Sequence, residues 1–269
     1  MPNMPTFSSL HDHFRLAWDL AKRDLAAKYK RSLIGPLWLL LTPLALMGIY
    51  WMVFGQIFGV QWQVPHRPEE GIGFLLPFFA GLVIYLALSD IVNSSSVLFS
   101  AKRTYVVKSP FPIWILWVAN LMRSGVHAGV MIMLLVLLAA VQQRLTVPGM
   151  LWLVPALLSC ILFMCATSLL LAALGPFIGD ISEAMRLLLR VLFYATPITY
   201  PLTLVPEPWR AWMWLNPLTG MVEILRAPLV FGLMPNLPLL WAFPAASMLL
   251  LLLSAWMFHR VKGVISDVV

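Results

Sequence analysis

Between Arg31 and Arg67 the chain carries no charged side chain. Within that interval the run from Leu33 to Gly59 is long enough to cross a hydrocarbon layer of roughly 30 Å with some tilt. The remainder of the chain has the same character. Of 269 residues, 61% are hydrophobic and 11% charged, against roughly 45–50% and about 25% in an average soluble domain. The 18 Lys and Arg and 11 Asp and Glu are too few to coat the surface of a water-soluble globule of this size. So apolar a composition also excludes disorder, and no internal repeat is visible. An all-α integral-membrane fold is expected.

Six spans are expected. Residues 1–32 form a polar N-terminus without a cleavable signal segment. Within it Phe14, Ala17, Trp18, Ala21 and Leu25 recur at helical spacing, which predicts an amphipathic helix from His11 to Tyr29 lying on the membrane face. The membrane domain, 33–258, then places spans at Leu33–Gly59, Ile72–Leu88, Ile113–Val141, Leu145–Gly175, Val191–Val205 and Leu237–Phe258. The fifth is short and interrupted by Pro197 and Pro201, so one clean helix is not expected there. Short re-entrant or interfacial helices are expected over 199–235, where Trp209, Trp212 and Trp214 suit the headgroup level. Residues 259–269 form a tail on the same side as the N-terminus.

Basic residues orient these spans. Arg15, Lys22, Arg23, Lys28, Lys30, Arg31, Lys102, Arg103, Lys108, Arg186, Arg190, Arg260 and Lys262 fall on one side, and Arg67, Arg144, Arg210 and Arg226 on the other. The positive-inside rule therefore predicts a multi-pass protein with both termini in the cytoplasm. The net charge of +7 is absorbed by that rule, with no nucleic-acid partner required.

Catalytic chemistry finds little support. Cys160 and Cys165 sit in an apolar run and read as small core hydrophobes, and the scattered His residues suggest no metal site. No phosphate loop of the GxxxxGK[ST] type is present, so the chain cannot hydrolyse ATP by that route and any energy source must come from a partner or a gradient. Asp90, Arg123 and His127 are the ionisable groups at membrane depth. Snorkelling of Arg123 to the inner interface, or its pairing with Asp90, is favoured over a polar lining or interhelical contact, because pairing is the usual way a charge survives near lipid. Tyr50, Phe54 and Phe58 recur every four residues beside Trp51, and Phe193, Tyr194 and Tyr200 lie on the broken span. Such rings could line a conduit for a sugar polymer by stacking, or they could serve ordinary helix packing.

Three stretches carry a resemblance. Lys22-Arg23-Asp24-Leu25 with Tyr29-Lys30-Arg31-Ser32-Leu33-Ile34-Gly35-Pro36-Leu37-Trp38 and Pro43 precedes and opens the first span. Phe193-Tyr194-Ala195-Thr196-Pro197-Ile198-Thr199-Tyr200-Pro201 and Leu215-Asn216-Pro217-Leu218-Thr219-Gly220 follow later. Their order resembles the permease subunits of type-2 ABC exporters, in the branch exporting O-antigen, capsular polysaccharide or teichoic acid. Pro36 departs from the aromatic or aliphatic residue commoner at that position, and it fits the first turn of a span.

The resemblance implies a homodimer in the bacterial inner membrane, bound to two copies of a soluble ABC ATPase that uses ATP and Mg while this chain binds no cofactor. It also implies a polysaccharide substrate, lipid-linked, and periplasmic export components as further partners. Coupling to the ATPase is expected through loops at 93–110, with Lys102, Arg103, Tyr105 and Lys108, and at 179–186, with Asp180 and Glu183. Trp209, Trp212, Trp214 and Arg226 are expected at an outer gate. Two alternatives stay open: a type-2 exporter of small molecules or drugs, and an integral-membrane transferase using Asp90, Asp180 or Glu183 on lipid-linked sugars.

Overall fold

The computed structural model describes residues 10–30, 32–64, 67–108 and 112–269. Arg31, His66 and the Ser109–Pro110 end of the expected coupling loop lie outside the described residues, as do the side chains of Arg67 and Lys108. The chain is mostly helical, at 80%. Helix α1 covers Leu10–Tyr29. A 3-10 turn at Gly35–Leu37 leads into α2, Trp38–Tyr50, which continues as a π-helical segment over Trp51–Ile57. Pro36 occupies that opening turn, where its missing N–H costs nothing. Gly59, at φ +61°, then turns the chain.

A two-stranded antiparallel hairpin follows, β1 at Trp62–Val64 and β2 at Arg67–Ile72, with Trp62 opposite Ile72. This hairpin departs from the all-α expectation and takes Ile72 out of the second span. That span is α3, Leu75–Ser96. The polar string Asn93–Ser96, expected as a loop, completes this helix instead. Its side chains have internal partners: Ser96 Oγ donates to Val92 O at 2.6 Å, and Ser95 and Ser168 share a hydrogen bond of 2.8 Å. The rest of the expected coupling loop carries two short helices, α4 at Leu98–Ala101 and α5 at Arg103–Lys108.

Helices α6, Trp114–Val141, and α7, Val147–Leu174, form the next pair, and α8 covers Ile181–Ala195. At 15 residues, α8 spans only about 22 Å at 1.5 Å per residue, short of a roughly 30 Å layer. Its stop is local. Thr196 precedes a proline and adopts extended backbone (φ −103°, ψ 141°), as the ring of Pro197 requires. A 3-10 turn at Leu202–Leu204, α9 at Glu207–Met213 and α10 at Pro217–Val230 fill the rest of the region expected to be re-entrant or interfacial. The Asn216 side chain accepts from Leu218 N at 3.0 Å and Pro217 takes the first helical position, so the Asn-Pro pair is a helix start. Helix α11, Leu237–Val261, and a last turn α12, Ile265–Val268, end the chain.

Five segments among the described residues are long and apolar enough to cross a membrane: Gly35–Ile57, α3, α6, α7 and α11. Helix α3 is the centre, with 72% of its apolar window buried against 6% for the first span. It packs on α6, α7, α8 and α10, while α7 carries α11 on its far side. Two glycines permit this closeness. A Cβ at Gly175 would fall 2.3 Å from Ser96 O, and one at Gly149 would fall 2.4 Å from Pro228 O.

Candidate functional site

The first span, α3 and α8 enclose a cleft of about 280 Å³ lined by Leu46, Tyr50, Leu82, Tyr85, Leu86, Arg190, Phe193 and Tyr194. Helical spacing of four puts Tyr50 and Phe54 on one face of the first span, where both rings meet α3. Tyr50 stacks on Phe78 at 4.9 Å between centroids, and Phe54 stacks on Phe74 at 5.8 Å. Phe193 reaches the same group, 5.9 Å from Tyr50 and 4.8 Å from Tyr85. The expected aromatics therefore converge, but several faces are spent on one another. Phe193 is buried, and Phe54 is sandwiched between α3 and its own helix neighbours.

Tyr194, at 75% exposed, presents its ring openly, and so does Phe58 at the end of the stripe. Trp51 lies on a different, exposed face of the first span. Tyr200 is tied back, its hydroxyl donating to Tyr194 O at 3.0 Å. Tyr85 and Arg190 were not anticipated. Phe74, Phe78 and Tyr85 follow one another at spacings of four and seven along α3, a stripe readable in hindsight. Arg190, expected with the cations of the cytoplasmic side, lines the cleft with exposed surface.

At the end of the bundle where α1 lies, a polar network joins four helices. Arg123 donates to both carboxylate oxygens of Asp90, at 3.0 and 3.3 Å, and Ser124 Oγ adds a bond of 2.7 Å. Asn120 accepts from Arg123 at 3.3 Å and donates to Ser95 at 3.1 Å, and Ser168 links Ser95 to Trp117 Nε1. Lys28 of α1 stands 4.0 Å from Asp90. Of the two outcomes favoured for Arg123, pairing with Asp90 is the one present, and both carboxylate oxygens accept from it.

The coupling residues divide. Lys102 forms an ion pair with Asp24, pinning the α4–α5 corner to α1, while Arg103 is exposed and Tyr105 half-buried. Asp180 is exposed just before α8, and Glu183 pairs with Arg186 one turn on. Phe177 and Ile178 beside them are exposed apolar side chains.

The outer group divides too. Trp209, Trp212 and Trp214 are exposed on and after α9. Arg226 is a correction: expected with them at the surface, it is fully buried. Its guanidinium donates to Pro77 O at 3.1 and 3.0 Å and to Pro197 O at 3.0 Å, pairs with Glu223 at 2.6 Å, and sits 4.2 Å above the Trp62 ring. Gly81 leaves room for it, since a Cβ there would lie 3.1 Å from Arg226 Nη2. One cation thus satisfies the carbonyl freed at the Pro197 break and joins α3, α10 and the hairpin.

Residues 15–230 match the family described as ABC-2 type transporter. The chain belongs to that family. Among its relatives, an O-antigen export system permease protein RfbA of Myxococcus xanthus is 29% identical over 256 residues, covering 93% of this chain and 94% of the relative. An RfbA of Klebsiella pneumoniae is 25% identical over 210 residues, 78% of each chain. The polysialic acid transport protein KpsM of Escherichia coli is 24% identical over 211 residues, 78% of this chain and 79% of the relative. This ABC-2 chain is a multi-pass membrane protein, and the family match takes in α1, the cleft and the Arg226 hub together.

Proposed function

We propose that this chain is the permease subunit of an ATP-driven exporter that moves a cell-surface polysaccharide, lipid-linked O-antigen or capsule, across the bacterial inner membrane. Two copies form the conduit. Two soluble ABC ATPase subunits bind at the α1 end, which faces the cytoplasm, and use the ATP and Mg that this chain does not bind. Helix α8 with the re-entrant α9 and α10 supplies the fifth of six crossings, leaving both termini inside.

The observation that carries this reading is the cleft between the first span and α8. An open Tyr194 ring, Tyr50, Tyr85 and the Arg190 cation line it, beside a first span that is only 6% buried over its apolar stretch. Aromatic faces accept sugar rings without demanding one linkage, and a cation suits acidic or phosphorylated sugars. The names of the relatives supply the substrate class. The α4–α5 corner and residues 175–186 offer exposed charge and apolar side chains for a partner. Stacking of bases on aromatics, a comparable contact, contributes about 1–3 kcal/mol each.

The test is complementation of a strain lacking this gene. Polymer should appear at the surface with the wild-type chain, and fall at least tenfold with Tyr85→Ala and Tyr194→Ala combined while the permease still copurifies with its ATPase. Normal export from that assembled variant would return the rings to a packing role. ATP turnover by the isolated chain would overturn the proposal itself.

A further inference from the structure

Where α1 meets the start of the first span, a second cleft of about 330 Å³ opens, away from the conduit face. Its floor is apolar, formed by Leu25 of α1, Pro36 and Leu39 of the first span, and Val126 of α6. Its mouth carries Tyr29 and Lys30. Lys30 is exposed and has no ion pair among the described residues. Its neighbours differ: Lys22 pairs with Asp19 at 2.8 Å, and Lys28 leans toward Asp90. The carboxylates on adjoining elements are also taken, Asp24 by Lys102 and Asp90 by Arg123 with Ser124. An anion approaching Lys30 therefore meets an uncompensated cation and no free carboxylate. Desolvation, with Asp90 nearby, pushes the Tyr29 phenol above its ordinary pKa, so its hydroxyl is held as a donor.

An apolar floor beneath a basic mouth is the shape of a phospholipid with one acyl chain inserted. Basic pockets between helices on the cytoplasmic side of membrane proteins favour anionic headgroups for this reason. We infer that this cleft is a specific site for an anionic inner-leaflet phospholipid, its phosphate on Lys30 and Tyr29 and one acyl chain against Leu25, Leu39 and Val126. The lipid would fill the space between α1 and the first span, and so brace a segment that is only 6% buried over its apolar stretch. The orientation rests on the proposed function, but lipid binding does not depend on export.

The experiment is native mass spectrometry of the full chain purified in mild detergent, supplied in turn with phosphatidylglycerol and phosphatidylcholine of identical chains. A Lys near the membrane surface contributes about 1 kcal/mol toward an anionic lipid, or about fivefold in retention. Wild type should retain phosphatidylglycerol by about that factor over phosphatidylcholine. Lys30→Gln should bring the two to parity, and Val126→Trp, which fills the floor, should reduce both. Lys262→Gln, at an exposed cation that does not line the cleft, should change nothing. Equal retention of both lipids by wild type, or an unchanged preference in Lys30→Gln, would overturn the site. Displacement by inorganic phosphate would assign Lys30 to a free anion, and displacement by a polyprenyl phosphate would assign the cleft to substrate; each overturns the phospholipid. Lipid retention as expected in a wild-type chain that fails to restore polymer to the strain lacking this gene would instead count against the proposed function alone.

Discussion

Arg226 concentrates several demands in one side chain. Its fork reaches two backbone carbonyls and a carboxylate while its plane rests over Trp62, a geometry that the point charge of lysine cannot reproduce. Arg226→Lys should therefore lower the melting temperature in detergent nearly as much as Arg226→Met, with loss on the order of 3–5 kcal/mol for breaking a buried pair. If Arg226→Lys behaves as wild type, only the charge matters. Gly175 tests packing at the opposite end. Alanine there would place a methyl 2.3 Å from Ser96 O, while Gly129 meets nothing within 4 Å. Gly175→Ala should cost roughly 1–3 kcal/mol by overpacking and Gly129→Ala far less, a contrast read by thermal unfolding. Such roles are hard to see in a linear chain, because the buried Arg226 and the half-buried Arg210 alike follow a glutamate by three residues and precede an alanine. The pairing of Arg123 with Asp90 was legible because few other partners existed at that depth.

At the scale of elements, periodicity found α1, and uncharged apolar runs found the first span, α3, α6, α7 and α11, since long apolar runs admit one conformation in lipid. The end of α3 was misjudged. Polar residues usually mark a loop, but here Asn93, Ser94 and Ser96 donate to the preceding turn of α3 itself, and Ser95 meets Asn120 of α6 and Ser168 of α7. The hairpin was missed because its three paired positions lack a turn signal strong enough to stand out. The aromatic stripe on the first span was visible, whereas the α3 stripe that receives it was hidden in a helix apolar all round. The same lesson applies to coupling. Lys102 is spent on Asp24, so Lys102→Glu should weaken ATPase binding by releasing the α4–α5 corner, and Asp24→Lys should restore it. Arg103→Glu, exposed and outside that pair, should weaken binding directly and gain nothing from Asp24→Lys. Affinity for the cognate ATPase, measured by pull-down from detergent, separates the two. Rescue of Arg103→Glu by Asp24→Lys would place the partner surface elsewhere.

The whole molecule is lopsided. Helix α3 is wrapped on nearly every side, yet the first span is almost bare, with Leu41, Leu44, Trp51 and Met52 exposed. Helix α8 exposes Leu187, Leu188 and Val191 beside the cleft. Lipid could cover these faces, but lipid would also seal the aromatic cleft, leaving Arg190 in hydrocarbon at a cost of about 2.5–3.5 kcal/mol or more. A second copy set against the first span and α8 would enclose that cation in a shared, hydrated lumen. Cysteines at Leu44 and Leu188, introduced after Cys160→Ala and Cys165→Ala, should therefore cross-link into a dimer in native membranes. A cysteine at Trp209 in the same background should react with a membrane-impermeant reagent from the outer side. Dimer bands from an exposed site on α11, such as Leu249, at equal yield would make the contact random collision. Labelling of Trp209→Cys only from the cytoplasm would invert the topology, and with it the assignment of the α1 end to the ATPase.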